Sequence, residues 1–380
     1  MRQFLFTGFN AFGQHNINKN NNSCRTSGPV VALTEICTPR DSNEYPMIIA
    51  PCWRYTAYAV GQRLFLQGLF DSQPGECLEV EAAVRIKALA ACDNHCLVLL
   101  QNGELFKLAA KLRAQLVQIK LENPPIAAAT KRTIFGDAKR IACGSPGEIT
   151  HIACGSHINV AISAGNAIYS IPSCLHQFPV RQWRVQQLEC GNEHAILLNG
   201  NGDVYSWGNG LRGQLGHEAL GVQETPRLID ALAGIKITHI AAGGWHSAAI
   251  SAFGDLYTWG SNCNGQLGMR VLKPGGLLKE PTVYPLPQLH DLPECCEAAQ
   301  DADADAVCSP LRICAGSRHT LLVRSCGRVW GSGWTIHGQL GKQLEKRTYL
   351  DKFEAIYDAP ANYDYNVICG PWATLIMLSK

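Results

Sequence analysis

The segment Cys190–Gly216 reads CGNEHAILLNGNGDVYSWGNGLRGQLG and aligns without a gap on Ala242–Gly268, AGGWHSAAISAFGDLYTWGSNCNGQLG. A third copy, AGSRHTLLVRSCGRVWGSGWTIHGQLG, occupies Ala315–Gly341. A histidine near the start and a closing Gly-Gln-Leu-Gly run fall in register in all three copies. The chain therefore contains a repeated unit of about fifty residues, a period typical of propellers and solenoids.

Each unit has the pattern of a small antiparallel sheet. In the first copy the apolar run 195–198 precedes the turn cluster Asn-Gly-Asn-Gly at 199–202. Asp-Val-Tyr-Ser-Trp at 203–207 then resumes a strand rich in β-branched and aromatic residues. This hairpin, followed by a second glycine turn and a variable stretch, predicts three or four short strands per unit. That number favours a propeller blade over a helical solenoid.

Weaker copies complete the set. One contains His95 and Gly103, another Cys154 and Gly155, and a third covers Pro51–Gly68. Residues 369–378 match the first half of a unit, and residues 4–14 match the second half. We therefore predict an all-β, seven-bladed β-propeller over residues 1–380, closed by pairing the N-terminal and C-terminal strands in one blade.

Composition sets limits on the functional class. The formal net charge of +2 does not indicate a dedicated nucleic-acid binder, and 46% hydrophobic residues provide for a large core. Residues 1–13 lack the apolar run of a signal peptide, and no stretch has the length of a membrane span. We expect an intracellular protein without membrane contact.

The repeated residues are predicted to be structural, because one histidine per unit cannot converge on a single ion. The set comprises His95, His194, His246, His319, Trp207, Trp259, Gly208, Gly260, Gly370 and Trp372. Cysteine and alanine alternate at one repeat position, as in Cys154, Cys190 and Ala242, which indicates a small buried site. We predict no disulfide framework, no metal and no cofactor.

The units resemble the repeats of the regulator of chromosome condensation family. The shared signature is Cys/Ala-Gly-x-x-His, then Gly-Asp-Val/Leu-Tyr-x-Trp-Gly, then Gly-Gln-Leu-Gly, and the likeness is greatest to short members with a single propeller. The resemblance implies a seven-bladed propeller that acts as an adaptor in chromatin and mitosis. It also implies a nuclear or chromosomal location, and a JmjC-type 2-oxoglutarate oxygenase linked to histone methylation as partner. Additional residence in the cytoplasm stays open.

Two segments interrupt the period. Residues 269–310 form an acidic inter-blade insertion that we expect to be flexible; its second half carries the carboxylates Asp291, Glu294, Glu297, Asp301, Asp303 and Asp305. They either bind a basic partner such as a histone tail or form a solvated insertion. Residues 109–150 form a basic insertion, with Lys111, Arg113, Lys120, Lys131, Arg132, Lys139 and Arg140. Contact with DNA phosphates stays open for this segment, as does a solvated loop.

Trp245, Arg318 and Trp334 occupy loop positions that are small or polar in family repeats, and are predicted either to anchor a partner or to pack between blades. No nucleophile elbow, phosphate-binding loop or zinc-protease motif is present. We therefore predict a non-enzymatic monomer within a hetero-complex. The alternatives are a guanine-nucleotide exchange factor for a small GTPase and the substrate-binding propeller of a ubiquitin ligase.

Overall fold

The computed structural model describes residues 2–19, 22–24, 29–38, 47–70, 74–109, 115–122, 147–179, 183–271, 282–295, 308–341, 348–360 and 363–379. The first strands are β1 Arg2–Gly8, β2 Asn16–Lys19, β3 Asn22–Cys24 and β4 Val30–Cys37. Blade 1 contains β5 Met47–Pro51, β6 Tyr55–Val60, β7 Arg63–Gly68 and β8 Glu76–Glu81. Blade 2 contains β9 Ile86–Cys92, β10 His95–Leu100, β11 Leu105–Ala109 and β12 Leu116–Gln118.

The middle blades follow the repeat. Blade 3 contains β13 Ile149–Cys154, β14 Asn159–Ser163, β15 Ala167–Ser170 and β16 Ser173–Gln177. Blade 4 contains β17 Val185–Cys190, β18 His194–Asn199, β19 Val204–Asn209 and β20 Val222–Leu228, and a short 3-10 helix follows at Asp230–Leu232. Blade 5 contains β21 Ile237–Ala242, β22 His246–Ser251, β23 Leu256–Ser261 and β24 Val283–Leu289.

Blade 6 contains β25 Pro310–Ala315, β26 His319–Arg324, β27 Arg328–Trp334 and β28 Tyr349–Asp358. Blade 7 joins β29 Asp364–Gly370 and β30 Ala373–Ser379 to the N-terminal strands, in the order β29-β30-β1-β4-β2-β3. Phe6 of β1 lies opposite Leu375 of β30 in this pairing. Within the described residues the strands form seven antiparallel sheets, so the seven-bladed propeller and its closure by the two ends are confirmed.

The hydrophobic core lies between blades. Successive side chains of β18 point to opposite neighbours: Leu197 packs toward blade 3, and Leu198 packs toward blade 5. Because both faces of the blade are covered, the strand has no polar side and every residue of it is buried. An apolar cluster of this kind occupies each junction, including the one between blade 7 and blade 1.

Two recurring glycines are required by the backbone. Gly208 has φ +104°, and a Cβ there would stand 2.5 Å from the carbonyl oxygen of Glu193. Gly260 repeats this arrangement with φ +102° against the carbonyl oxygen of Trp245. Only glycine adopts this conformation at such close approach without strain.

Parts of the two predicted insertions belong to blades. In segment 109–150, β12 pairs with β11, and β13 begins at Ile149. In segment 269–310, β24 pairs with β23. Sequence reasoning did not locate the outer strands β12 and β24, because they carry none of the repeated glycine or histidine residues.

Candidate protein-binding face

The repeated histidines connect neighbouring blades. His194 Nε2 lies 2.9 Å from the Ser247 hydroxyl of the next blade, and that hydroxyl donates to the carbonyl oxygen of Gln214 at 2.9 Å. Since the hydroxyl proton is used there, the imidazole Nε2–H must donate to the hydroxyl oxygen. Burial lowers the pKa of His194 to about 3, so the ring is neutral. The His194 ring therefore links blade 4 to blade 5, and the structural role that its position in the repeat predicts stays a prediction.

One face of the disc carries the loops between the first and second strands of each blade, together with those between the third and fourth strands. Trp245 lies in the β21–β22 loop and Arg318 in the β25–β26 loop. Trp334 ends β27, and Trp372 lies in the β29–β30 loop. Equivalent strands run in the same direction in every blade, so these four residues lie on the same face of the disc. All four side chains are half-buried.

Arg318 stands at the centre of this group. Its guanidinium carbon is 5.0 Å from the ring centre of Trp334 and 5.9 Å from those of both Trp245 and Trp372. One guanidinium N–H donates to Asn264 Oδ1 at 3.3 Å. A guanidinium within about 6 Å of an indole ring is attracted by the negative face of the ring. Three indoles therefore share one cation.

A second arginine extends the group. The guanidinium carbon of Arg212 lies 4.5 Å from the ring centre of Trp245, on the blade 4 side. In the part of the chain that the structure describes, neither Arg212 nor Arg318 forms an ion pair with a carboxylate. Both charges remain available to an acidic group of a partner.

Aromatic rings continue the group toward blade 1. Trp334 and Trp372 meet edge to face at 5.1 Å, and His337 lies 5.6 Å from Trp334 and 5.3 Å from Phe9. Phe9 in turn lies 6.4 Å from Trp53, which is 42% exposed. We call this continuous surface the aromatic–arginine arc; its members are Arg212, Trp245, Arg318, Trp334, His337, Trp372, Phe9 and Trp53.

Sequence analysis identified three members of the arc: Trp245, Arg318 and Trp334. The structure brings these three together, and their role in partner binding stays a prediction. The sequence analysis did not identify Trp372 as a surface residue, because it assigned Trp372 to the structural set. A signal was available, because Trp245, Arg318 and Trp372 each immediately precede the histidine position of their unit.

The predicted acidic contact lies elsewhere. β24 begins beside Ser261 and ends beside Tyr257, so the chain leaves it at the end of the sheet opposite the arc. Asp291 and Glu294 follow there and are exposed. Glu297, Asp301, Asp303 and Asp305 lie outside the described residues, as do all the basic residues named in segment 109–150 except the exposed Lys120.

The central channel opens within the arc-bearing face. A cavity of about 170 Å³ is lined by residues of all seven blades, and a second of about 320 Å³ lies deeper along the innermost strands of blades 4 to 7. Glu189 lines both, and its carboxylate accepts a hydrogen bond from Gln187 at 3.0 Å. Burial raises the pKa of Glu189 to about 7.

Two side-chain clusters have the composition of metal sites. Cys92, His95 and Cys154 lie where blades 2 and 3 meet, at the mouth of the channel. Cys295, Cys308 and Cys326 lie on the face opposite the arc.

Among the described residues, no helix has the length and apolar character needed to span a bilayer.

The repeated segments of this chain match a known family of protein repeats. Family models described as "Regulator of chromosome condensation (RCC1) repeat" match residues 201–250, and residues 185–214 and 237–266. The human RCC1 domain-containing protein 1 is 30% identical over 402 residues, which cover 97% of this chain and 95% of that protein. The chain belongs to the RCC1 repeat family. The resemblance found in the sequence is thereby confirmed.

Solved RCC1-type propellers share the fold. Human WBSCR16 superposes with a TM-score of 0.70 at 16% identity, covering 100% of this chain and 99% of that one. Prp20p of Saccharomyces cerevisiae, whose structure was described with its binding to Gsp1p and histones, gives 0.69 at 16% identity, covering 100% and 92%. At this identity the likeness concerns the fold. Membership of the RCC1 family supports a protein-interaction role.

Proposed function

We propose that this chain is a non-enzymatic adaptor in chromatin regulation and mitotic chromosome segregation, and that it binds its protein partner through the aromatic–arginine arc. The observation that carries the proposal is Arg318, whose guanidinium is shared by three half-buried indole rings. Tryptophan and arginine dominate the few residues that contribute most of the energy at protein interfaces. A continuous row of them on one face is typical of a docking surface.

The chemistry of the arc favours a partner surface with a carboxylate near its centre. Arg212 and Arg318 carry charges that no described carboxylate neutralises. Two exposed apolar side chains lie in the same loops: Leu211, 62% exposed, and Ile336, 52% exposed. An interface with an apolar centre and complementary charge gains both affinity and orientation.

The proposed setting is the nucleus, and the proposed partners are histones and a JmjC-type 2-oxoglutarate oxygenase. Support for histones comes from the yeast relative, Prp20p, described with its binding to histones. Support for the oxygenase and for an influence on histone methylation comes from the family resemblance. The acidic residues Asp291 and Glu294 lie on the opposite face, so a histone held there would be a second contact, separate from the arc.

The test is affinity purification of the tagged full chain from nuclear extract, followed by binding measurements with the purified partner. Arg318→Ala and Trp334→Ala are expected to weaken binding at least tenfold. Arg184→Ala and Phe253→Ala are matched controls, because these exposed residues lie at the opposite end of the blades. The proposal is wrong if all four variants bind alike, or if neither histones nor a JmjC oxygenase is recovered.

A nucleotide-release assay with a panel of small GTPases tests the exchange-factor alternative. The adaptor function predicts no acceleration at catalytic concentrations of the chain. Acceleration that Arg318→Ala abolishes would instead assign the arc to a GTPase. Recovery of a ubiquitin ligase complex as the main partner would favour the remaining alternative.

A further inference from the structure

Three cysteines from three separate segments meet on the face opposite the arc. Cys295 follows β24, Cys308 precedes β25, and Cys326 lies in the β26–β27 turn. Their sulfur atoms all lie within 4.8 Å of one another, and the sulfurs of Cys295 and Cys326 are 3.4 Å apart. Cys295 is buried, Cys308 is half-buried and Cys326 is exposed, so the cluster is reachable from solvent. We call these three residues the thiol triad.

The spacing suits a thiolate metal site. Zinc binds cysteine sulfur at about 2.3 Å with tetrahedral geometry, which places sulfurs roughly 3.8 Å apart. The sulfurs of Cys295 and Cys326, 3.4 Å apart, would separate by about 0.4 Å, and the two distances to the Cys308 sulfur, each within 4.8 Å, exceed that separation by at most about 1 Å. Three thiol ligands leave one position of the tetrahedron open to water or to a further ligand.

Two arginines hold the backbone of the triad in place. The Arg324 guanidinium donates to the carbonyl oxygen of Cys308 through Nε at 3.1 Å and through Nη2 at 2.8 Å, and to that of Pro293 at 2.6 Å. Arg328 donates to the carbonyl oxygen of Cys295. The segments that carry two of the three cysteines are therefore fixed before any ion binds, which lowers the cost of assembling the site.

The charge of Arg324 points to an anionic neighbour. The residue is only 5% exposed, its hydrogen-bond acceptors are neutral carbonyl groups, and the neutral Trp330 ring lies 5.3 Å from its guanidinium carbon. In the described residues it forms no ion pair. A buried charge is costly unless an opposite charge compensates it. Zinc bound by three thiolates carries a net charge of −1. At Cys308, whose carbonyl oxygen accepts from Arg324, it would supply that compensating negative charge.

The repeat shows that these residues depart from the ordinary turn. Asn199 of blade 4 accepts the backbone N–H groups of Asn201 and Asp203, so its amide oxygen caps the turn. In blade 6, Arg324 occupies the position of Asn199, and Cys326 that of Asn201. The blade 6 turn therefore has an arginine where blade 4 has the capping asparagine, and a cysteine where blade 4 has an exposed asparagine. The arginine holds the backbone of the triad, and the cysteine is one of its three thiols.

We propose that Cys295, Cys308 and Cys326 bind one zinc ion as three thiolates, with the fourth position open. Binding releases three thiol protons to solvent and involves no electron transfer. Cys295 and Cys308 flank residues 296–307 in the sequence, which include the acidic residues Glu297, Asp301, Asp303 and Asp305. The ion therefore links the two ends of the acidic segment to the blade 6 turn.

The cluster at blades 2 and 3 is the competing site. The sulfur of Cys92 lies 3.1 Å from His95 Nδ1 and 3.6 Å from Nε2. Similar distances to both ring nitrogens place the sulfur over the ring instead of on the in-plane axis of the Nδ1 lone pair, along which a metal binds. The imidazole would have to turn away from Asn159, which it contacts at 2.8 Å. The thiol triad needs no such rearrangement.

The experiment is zinc titration of the full chain after chelation and complete thiol reduction, with metal content measured by elemental analysis. We expect one zinc per chain, and a cobalt(II) derivative with thiolate charge-transfer absorption. Cys326→Asn and Cys308→Ser should weaken zinc binding at least tenfold. Cys326→Asn installs the blade 4 turn residue, so an unchanged melting temperature without zinc would show that the fold is intact. Zinc should raise the melting temperature of the unaltered chain and should not raise that of Cys326→Asn or Cys308→Ser.

Matched controls separate this site from others. Cys263→Ser changes an exposed cysteine on the arc-bearing face and should bind zinc normally. Cys92→Gly restores the glycine that blades 4, 5 and 6 carry at that position, and should also bind normally. The proposal is overturned if the reduced chain binds no zinc, if Cys326→Asn binds as well as the unaltered chain, or if Cys92→Gly abolishes binding.

Discussion

The imidazole Nε2 of His246 lies 2.8 Å from the hydroxyl oxygen of Thr320, a residue of the next blade. Thr320 in turn donates to the carbonyl oxygen of Gln266 at 2.6 Å. This is the same link that His194 makes through Ser247, so histidine, hydroxyl and the glutamine of the Gly-Gln-Leu-Gly run act together. The recurring residues of the repeat hold one blade to the next.

Replacing Thr320 by valine should destabilise the fold by about 1–3 kcal/mol, because His246 Nε2–H and the Gln266 carbonyl lose their buried partner. Urea unfolding measures the change in free energy of unfolding. Thr225→Val is the matched control, since Thr225 is exposed on β20. Equal stability of the two variants would show that the hydroxyl link contributes nothing.

Gly243→Ala should also destabilise the protein, by roughly 1–3 kcal/mol, through overpacking. A Cβ at Gly243 would stand 2.1 Å from Cε1 of the buried His246 ring. At Gly221 nothing lies within 4 Å of the added carbon, so Gly221→Ala should leave stability unchanged or slightly raised. Thermal unfolding of both variants tests this, and the same melting temperature for both would contradict the packing argument.

Glu189→Gln should stabilise the protein in a pH-dependent manner. Because burial raises the folded-state pKa of Glu189 to about 7, the unaltered protein loses stability as pH rises from the unfolded pKa toward 7. The glutamine variant has no proton to lose, so its advantage should grow between about pH 4.5 and pH 7 and stay constant above. Unfolding free energies at pH 5, 6, 7 and 8 measure this. Exposed Glu224→Gln serves as control, and a pH-independent difference for Glu189→Gln would refute the assignment.

Phe6→Ala should cost about 3–5 kcal/mol, because it leaves a cavity at the junction between blades 7 and 1. Phe6 is fully buried, whereas Phe253 is 87% exposed. Phe253→Ala should therefore change the free energy of unfolding by less than about 0.5 kcal/mol. Chemical denaturation of both variants measures the contrast. A small effect of Phe6→Ala would mean that closure of the ring adds little to stability.

The fold follows from local sequence signals, and the candidate site does not. Turn glycines, alternating apolar runs and the histidine position recur within each unit, so they predict blades, their number and the shared blade 7. The arc depends on which loops become neighbours after the ring closes. Phe9 and His337 come from opposite ends of the chain and meet at 5.3 Å only because β1 pairs with β30.

The thiol triad was beyond sequence reasoning for a related reason. Cys295, Cys308 and Cys326 show none of the close spacing by which cysteine metal motifs are recognised. The interchange of cysteine and alanine at the inner strands also led us to expect no metal, but it concerns the strand position of Cys190 and not the turn position of Cys326. The buried site expected at that strand position is half-buried in the structure, because Cys190 lines the central channel. Side chains that converge from three segments can be found only when the packing of blades 5 and 6 is known.

The pairing of β1 with β30 also constrains how this propeller is made. Among the strands of the ring, β1 leaves the ribosome first and β30 last, yet they are immediate neighbours. Phe6 therefore lacks its partner Leu375 until β30 has been synthesised, and the pairing of β1 with β30 that closes the ring forms only then. The same adjacency makes the chain suited to circular permutation: joining β30 to β1 and opening the exposed turn at Asn201 would keep all seven junctions while changing which strand is synthesised last.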